Sequence, residues 1–122
     1  MKSGQALVML LVFVAISLII TTAAVVMMTI GSISAARYAT SQQAAALAES
    51  GAENALVRLL RDPNYSGETL TINDSPATIT ITGTDPKTIT STGVAGEFTR
   101  TIQIVAGFTD GILTINSWQE IF

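Results

Sequence analysis

The chain has 122 residues, of which six are Lys or Arg and nine are Asp or Glu, with a formal net charge of −3. That length allows one small domain, and the charged fraction of 12% is well below that of ordinary soluble domains. So few basic residues argue against binding nucleic acid through a basic patch. Because there is no Cys and no His, the sequence offers no thiol nucleophile, imidazole base or thiolate metal site. It predicts no enzyme, no catalytic residue and no cofactor.

The N-terminal part of the chain is an apolar segment. Lys2 is the only charged residue before Arg37, and residues 6–30 read ALVMLLVFVAISLIITTAAVVMMTI. A bilayer core requires roughly 20 apolar residues in a helix, whereas the apolar region of a secretory signal peptide has only about 7–15. We therefore predict a transmembrane helix at 5–33, in contact with membrane lipid. Its Ser and Thr residues either bond back to their own backbone or provide small surfaces for helix packing.

The orientation of this helix follows from the flanking charges. Lys2 favours a cytoplasmic N-terminus, while Arg37 on the other flank weakens that preference. The acidic, Thr-rich second half is expected on the exterior side. The predicted location is the cell membrane, crossed once.

A second helical stretch follows at 34–61, where helix-forming residues dominate. Apolar positions recur at steps of three or four and form one stripe; we expect the stripe to pack on a sheet through Ala48, Ala52, Leu56 and Leu59. Gly51 is a weak point within this helix, costing about 1 kcal/mol relative to Ala. Asp62-Pro63 ends it, because the residue before Pro disfavours the helical region.

Residues 62–122 alternate apolar residues with Thr, which is the period-2 pattern of half-buried strands. Turn residues separate five such segments, and the short connections permit only antiparallel neighbours. The segments are Glu68–Asn73, Ala77–Thr82, Lys87–Thr92, Phe98–Val105 and Ile112–Trp118. The predicted fold class is α+β: a long N-terminal helix, membrane-spanning and then amphipathic, packed on a small antiparallel sheet of four to five strands.

The alternation changes phase in the last strand, where Trp118 and Phe122 fall opposite in parity to Leu113 and Ile115. Either a bulge near Asn116-Ser117 turns Trp118 inward, or an apolar C-terminal segment faces outward as a contact surface. Four aspartates fall in predicted turns without the ligand spacing of a calcium loop, so we predict no metal site; they are Asp62, Asp74, Asp85 and Asp110.

The order of these segments resembles the type IV pilin-like family, which includes pilins, minor pilins and the pseudopilins of type II secretion. The resemblance rests on the short basic leader MKSG, the apolar start QALV and the helical stretch QAAALAESGAENALVRLL at Gln43–Leu60. It implies that residues 1–4 are a leader, that a prepilin peptidase cuts between Gly4 and Gln5, and that the new N-terminus is methylated. Met9 stands where the main subunits of that family carry Glu. The lack of this Glu is typical of tip pseudopilins and some minor pilins.

The resemblance implies a structural function in a type IV pilus or a type II secretion filament. The apolar helix would anchor the precursor and later pack against other pilin-like subunits, with Met9, Trp118 and Phe122 as possible subunit contacts. The alternative is a static single-pass membrane protein, whose exterior β domain binds a surface partner and in which Gly4 has no processing role.

Overall fold

One long helix packs on a five-stranded antiparallel sheet in the computed structural model, which describes residues 2–122. This confirms the predicted α+β fold. The elements are α1 (Lys2–Arg61), β1 (Thr69–Ile72), β2 (Ser75–Thr82), β3 (Lys87–Ala95), β4 (Phe98–Thr109) and β5 (Ile112–Ile121). The chain divides after Arg37 into two compact units, and the second, Tyr38–Phe122, contains the whole sheet.

The helix ends where the sequence predicts its end. The backbone N–H of Asp62 donates the last helical bond to the carbonyl of Arg58 at 2.8 Å, and the Asp62 carboxylate accepts the backbone N–H of Asn64 at 3.0 Å. The Lys87 ammonium donates to the carbonyl of Pro63. The loop after the helix is therefore tied both to the helix and to the start of β3.

The strands follow one another in the order β1-β2-β3-β4-β5, so each strand pairs with its neighbour in sequence. Three of the turns contain only two residues. In two of them both residues have positive φ: Asn73-Asp74, at 50° and 63°, and Asp110-Gly111, at 54° and 78°. Positive φ at both positions defines the type I′ turn, whose twist matches that of antiparallel strands. This local geometry gives the up-and-down topology.

Three strands extend into residues that the sequence analysis assigned to turns. Pro76 lies in β2 and Gly93 in β3, while β4 continues through Gly107 to Thr109. The turn assignment was wrong here because Gly and Pro are strong breakers only where no tertiary contact favours a strand. Gly93 lies directly under the helix, and Pro76 pairs only with Thr71 of the short edge strand β1.

The core lies between the second part of α1 and one face of the sheet. The strands contribute Ile79, Ile89, Ile102 and Ile104, each at most 8% exposed. The helix contributes mostly alanines, so the two backbones approach closely. The buried apolar residues of the helix are Ala44, Leu47, Ala48, Ala52, Ala55 and Leu59.

A β-bulge corrects the phase of the last strand. The β4–β5 register shifts between Val105 and Ala106, which leaves Asn116 without an opposite residue. Beyond the bulge, Trp118 lies opposite the buried Ile104, and opposite residues of an antiparallel pair share a face. The predicted bulge is therefore present and places Trp118 on the helix side of the sheet, although the Trp118 side chain remains 40% exposed.

Candidate functional site

The most unusual surface of the molecule is the first part of α1. Between Leu7 and Ile33, eighteen large apolar side chains are exposed, each by 46% or more. Burying one such side chain is worth about 1.5–3 kcal/mol, so leaving all of them in water would cost on the order of tens of kcal/mol. The helix is long and apolar enough to cross a membrane.

Three threonine hydroxyl groups within this apolar segment bond to their own helix. The Oγ1 atoms of Thr21, Thr22 and Thr29 donate to the carbonyls four residues earlier, at 2.7–2.9 Å. These bonds satisfy the polar groups without a partner helix. The predicted back-bonding is therefore present at these three positions.

The predicted processing residues lie in the first turns of the same helix. Gly4 and Gln5 are exposed. Both are helical, because α1 begins at Lys2 and not at residue 5. A Cβ atom added at Gly4 would meet no atom within 4 Å. Met9 is 74% exposed. All three residues are open to a second molecule.

The residues predicted to pack on the sheet do contact it. Ala48, Ala52 and Leu59 are at most 1% exposed and belong to one cluster with the buried isoleucines of the sheet. Leu56 is half-buried and packs against the edge of that cluster. The predicted stripe is displaced slightly around the helix, since Ala55 also belongs to the buried cluster.

Two glycines set how closely the helix and the sheet approach, and the sequence analysis missed both roles. A Cβ at Gly93 would lie 2.6 Å from the backbone nitrogen of Ala48 and 2.8 Å from the Cβ of Leu47. A Cβ at Gly51 would collide with the hydroxyl of Ser91. Gly51 is therefore a packing residue. The spacing of Gly51 from the alanines of the stripe was the available signal, because a small residue at such a position permits close packing.

One polar atom is enclosed in this interface without a partner. The Oγ of Ser91 is fully buried and has no hydrogen bond within residues 2–122. An unsatisfied buried hydroxyl carries a desolvation cost of about 1–3 kcal/mol. Nothing in the structure explains why Ser occupies this position.

The aromatic residues near the C-terminus are accessible. Trp118 is 40% exposed, and Ile115 on the same side of β5 is 47% exposed. Phe122 follows the last strand and is fully exposed. The helix therefore covers the middle of the sheet and leaves this part of β5 uncovered. All of these residues belong to the second unit.

An ion pair links β4 to β5 and reaches the helix. The Arg100 guanidinium binds the Glu120 carboxylate through two nitrogens, with Nη2 to Oε2 at 2.8 Å. Its Nη1 donates to Ser41 Oγ at 2.8 Å. The hydrogen bonds from Arg100 lower the pKa of the Glu120 carboxyl below its ordinary value, and the same bonds raise the pKa of Arg100.

A second polar cluster joins the end of the helix to the start of the sheet. Glu68 accepts a hydrogen bond from the Tyr65 hydroxyl at 2.9 Å and lies 3.1 Å from Arg58 Nε. Burial, followed by the bond to Glu68, raises the pKa of Tyr65 to about 12. The Arg58 guanidinium also lies over the Tyr65 ring, 5.7 Å from its centre. Both polar clusters hold neighbouring elements together.

Within residues 2–122, no group of three or more acidic, His or Cys side chains is placed to hold a metal ion. Asp62 and Asp85 each accept a backbone N–H bond, from Asn64 and from Phe108 respectively. No protein-family model, curated protein or solved structure matches this chain.

Proposed function

We propose that this protein is a membrane-anchored structural subunit of a pilin-like filament, of the minor pilin or pseudopilin type. The observation that carries the proposal is the apolar surface of α1 between Leu7 and Ile33, exposed on all sides. A helix that is apolar all round requires burial. Lipid provides that burial before assembly, and the helices of neighbouring subunits provide it in a filament.

The construction of the second unit supports the same proposal. From Ala44 to Leu59 the helix has one buried face, so this part is occupied by its own sheet and needs no other partner for stability. The exposed apolar segment therefore remains free to exchange lipid for protein. In this proposal the N-terminus is cytoplasmic and the sheet is exterior.

The short leader supplies the feature that separates this proposal from a static anchor. We propose that a prepilin peptidase cleaves between Gly4 and Gln5. The unhindered surroundings of Gly4 support access by a protease. The presence of Met9 in place of Glu favours an initiating, capping or low-copy subunit, because a carboxylate at that position would pair with the amine of a neighbour.

The test is co-expression of the full chain with a prepilin peptidase, followed by intact mass measurement of the membrane fraction. The expected product lacks the first four residues and carries an added methyl group, whereas Gly4→Val keeps the full mass. Gly31→Val is the matched control: it is the same substitution in the same helix, also with no atom within 4 Å of the added Cβ, and it should be processed normally. An uncut wild-type chain, or equal cutting of Gly4→Val, would support the static single-pass alternative.

A further inference from the structure

Two glutamates lie one helical turn apart on an exposed side of α1. Glu49 and Glu53 are both exposed, and within residues 2–122 neither forms an ion pair or a hydrogen bond. Like charges at this spacing repel each other and destabilise an isolated helix. The pair therefore contributes nothing to the stability of its own chain and is available to a cation from outside.

Two arginines lie on another side of the same helix. The Nε atom of Arg58 is held by Glu68 at 3.1 Å, but half of its side chain remains exposed. Arg61 is exposed and has no ion pair within residues 2–122. A cleft of about 440 Å³ lies beside the two guanidinium groups; it is lined by Asn54, Val57, Arg58, Arg61, Asp62 and Tyr65.

One oxygen of the Asp62 carboxylate, which also lines the cleft, accepts the backbone N–H of Asn64 at 3.0 Å. Asn54 and Tyr65 donate their hydrogen bonds to Glu68, which leaves the two guanidinium groups as the donors for an incoming carboxylate. Because Arg58 is held by Glu68 and by the ring of Tyr65, it is partly ordered before any ligand binds. An ordered donor loses less entropy on binding than a mobile one.

The two charged pairs are complementary but do not occupy the same face. With 3.6 residues per turn, the pair Glu49 and Glu53 and the pair Arg58 and Arg61 are centred roughly 130° apart around the helix axis. Two different, complementary patches produce a heterologous contact, in which one copy uses its acidic patch and the neighbouring copy uses its basic patch. The partner that fits is therefore a second copy of this chain.

We propose that Glu49 and Glu53 of one copy bind Arg58 and Arg61 of the next copy. The sequence separations of eight residues, from Glu53 to Arg61, and nine residues, from Glu49 to Arg58, correspond to a shift of about 12–14 Å along the helix between parallel copies. This inference rests on the proposed function, because copies anchored in one membrane share one orientation. It adds the partner and the register of the contact.

The experiment uses chemical cross-linking in membranes, because the natural chain has no Cys. Two full-length copies with different tags are co-expressed, one carrying Glu49→Cys and the other Val57→Cys. These positions are eight residues apart, like Glu53 and Arg61, and leave both of those charges in place. A short bis-maleimide should join the two tags. As a control, Val57→Cys is replaced by Glu97→Cys, an exposed position in the turn between β3 and β4, and no product is expected.

Charge reversal then tests the chemistry of the contact. Introducing Glu53→Arg into both copies should lower the cross-linking yield about tenfold, because attraction becomes repulsion, and Arg61→Glu should do the same. The two reversals together should restore the yield, since each copy again meets an opposite charge. Unchanged Trp118 fluorescence in each variant shows that the sheet is folded.

Several results would overturn the inference. The first is the absence of a cross-linked product that carries both tags. The second is a cross-linking yield that neither charge reversal changes, and the third is a double reversal that fails to restore the yield. Dimers formed by Glu49→Cys copies alone would indicate a symmetric contact and would also overturn it. Intact mass on the same membranes reports cleavage after Gly4, so a processed chain without cross-links refutes this contact alone. A cross-linked chain that keeps its leader supports the contact and refutes the processing step.

Discussion

Replacing Gly93 with Ala tests how tightly the helix and the sheet are fitted together. The new Cβ would lie 2.6 Å from Ala48 N and 2.8 Å from Leu47 Cβ, and the nitrogen belongs to the helix backbone, which cannot rotate away. The helix would have to move off the sheet by about 1 Å, and a gap of that size forfeits a quarter to a half of the dispersion contact. Overpacking typically costs about 1–3 kcal/mol, while removing a Gly from a strand returns about 0.5–1 kcal/mol. The difference is at most about 2.5 kcal/mol, and we expect a net loss of about 1–2 kcal/mol in the free energy of unfolding because the contact is with helix backbone.

The measurement is denaturant unfolding of the full chain in detergent micelles, followed by the fluorescence of Trp118, which is the only Trp in the sequence. Gly107→Ala is the matched control, because it is the same substitution in the same sheet with its nearest contacts at 3.7 Å. It should be neutral or slightly stabilising. If Gly93→Ala unfolds within about 0.5 kcal/mol of the wild type, a range typical of surface substitutions, the close backbone contact is refuted.

Three other substitutions test separate parts of the structure. Ser91→Ala removes the unsatisfied buried hydroxyl and should stabilise the chain by about 1 kcal/mol in the same unfolding assay; a loss would show that the hydroxyl has a partner. Because Arg100 lowers the pKa of Glu120, the stabilising contribution of this carboxylate is complete above its unfolded-state pKa and is lost as the pH falls through the folded-state value. Glu120→Gln should therefore lose less stability than the wild type between pH 7 and pH 3, and equal losses would contradict the assignment. Val14→Asp should block membrane insertion, at a cost of about 3 kcal/mol near the helix centre. Val57→Asp, outside the apolar segment, should leave membrane recovery unchanged, and unchanged recovery of Val14→Asp would count against a membrane-spanning helix.

The elements that depend on local patterns could be predicted from the sequence. The Thr-apolar alternation located all five strands, and Asp62-Pro63 located the end of the helix. Even the bulge at Asn116 followed from a local signal, because the alternation on its two sides is out of phase. Periodicity reports which face of an element is apolar, and this information is contained in neighbouring residues.

The features that depend on contacts between distant residues could not be predicted. Gly93 was assigned to a turn because, without knowledge of the helix above it, a Gly in a strand pattern indicates only a break. The pair of Arg100 and Glu120 joins residues that are 20 positions apart, and no spacing rule connects them. For the same reason, no pattern in the sequence indicates that Ser91 is enclosed without a hydrogen-bond partner among residues 2–122.

The candidate site could be predicted in part. The apolar run made a membrane-spanning helix the natural prediction, and its length and composition agree with that prediction. The cleavage after Gly4 and the contacts between subunits involve other molecules, so neither the pattern nor the fold of one chain determines them.

The seating of Gly93 against the helix backbone has a mechanical consequence. On the same face of β3, this glycine is flanked by Ser91 and Ala95, so sliding the strand along its own direction by two positions would drive a Cβ atom into the backbone near Ala44 and Ala48. This movement of the sheet relative to the helix is blocked by contact with the helix main chain, in addition to contacts between side chains. An axial load on this part of the helix would be transmitted to the sheet without slippage, so the two would travel as one rigid piece.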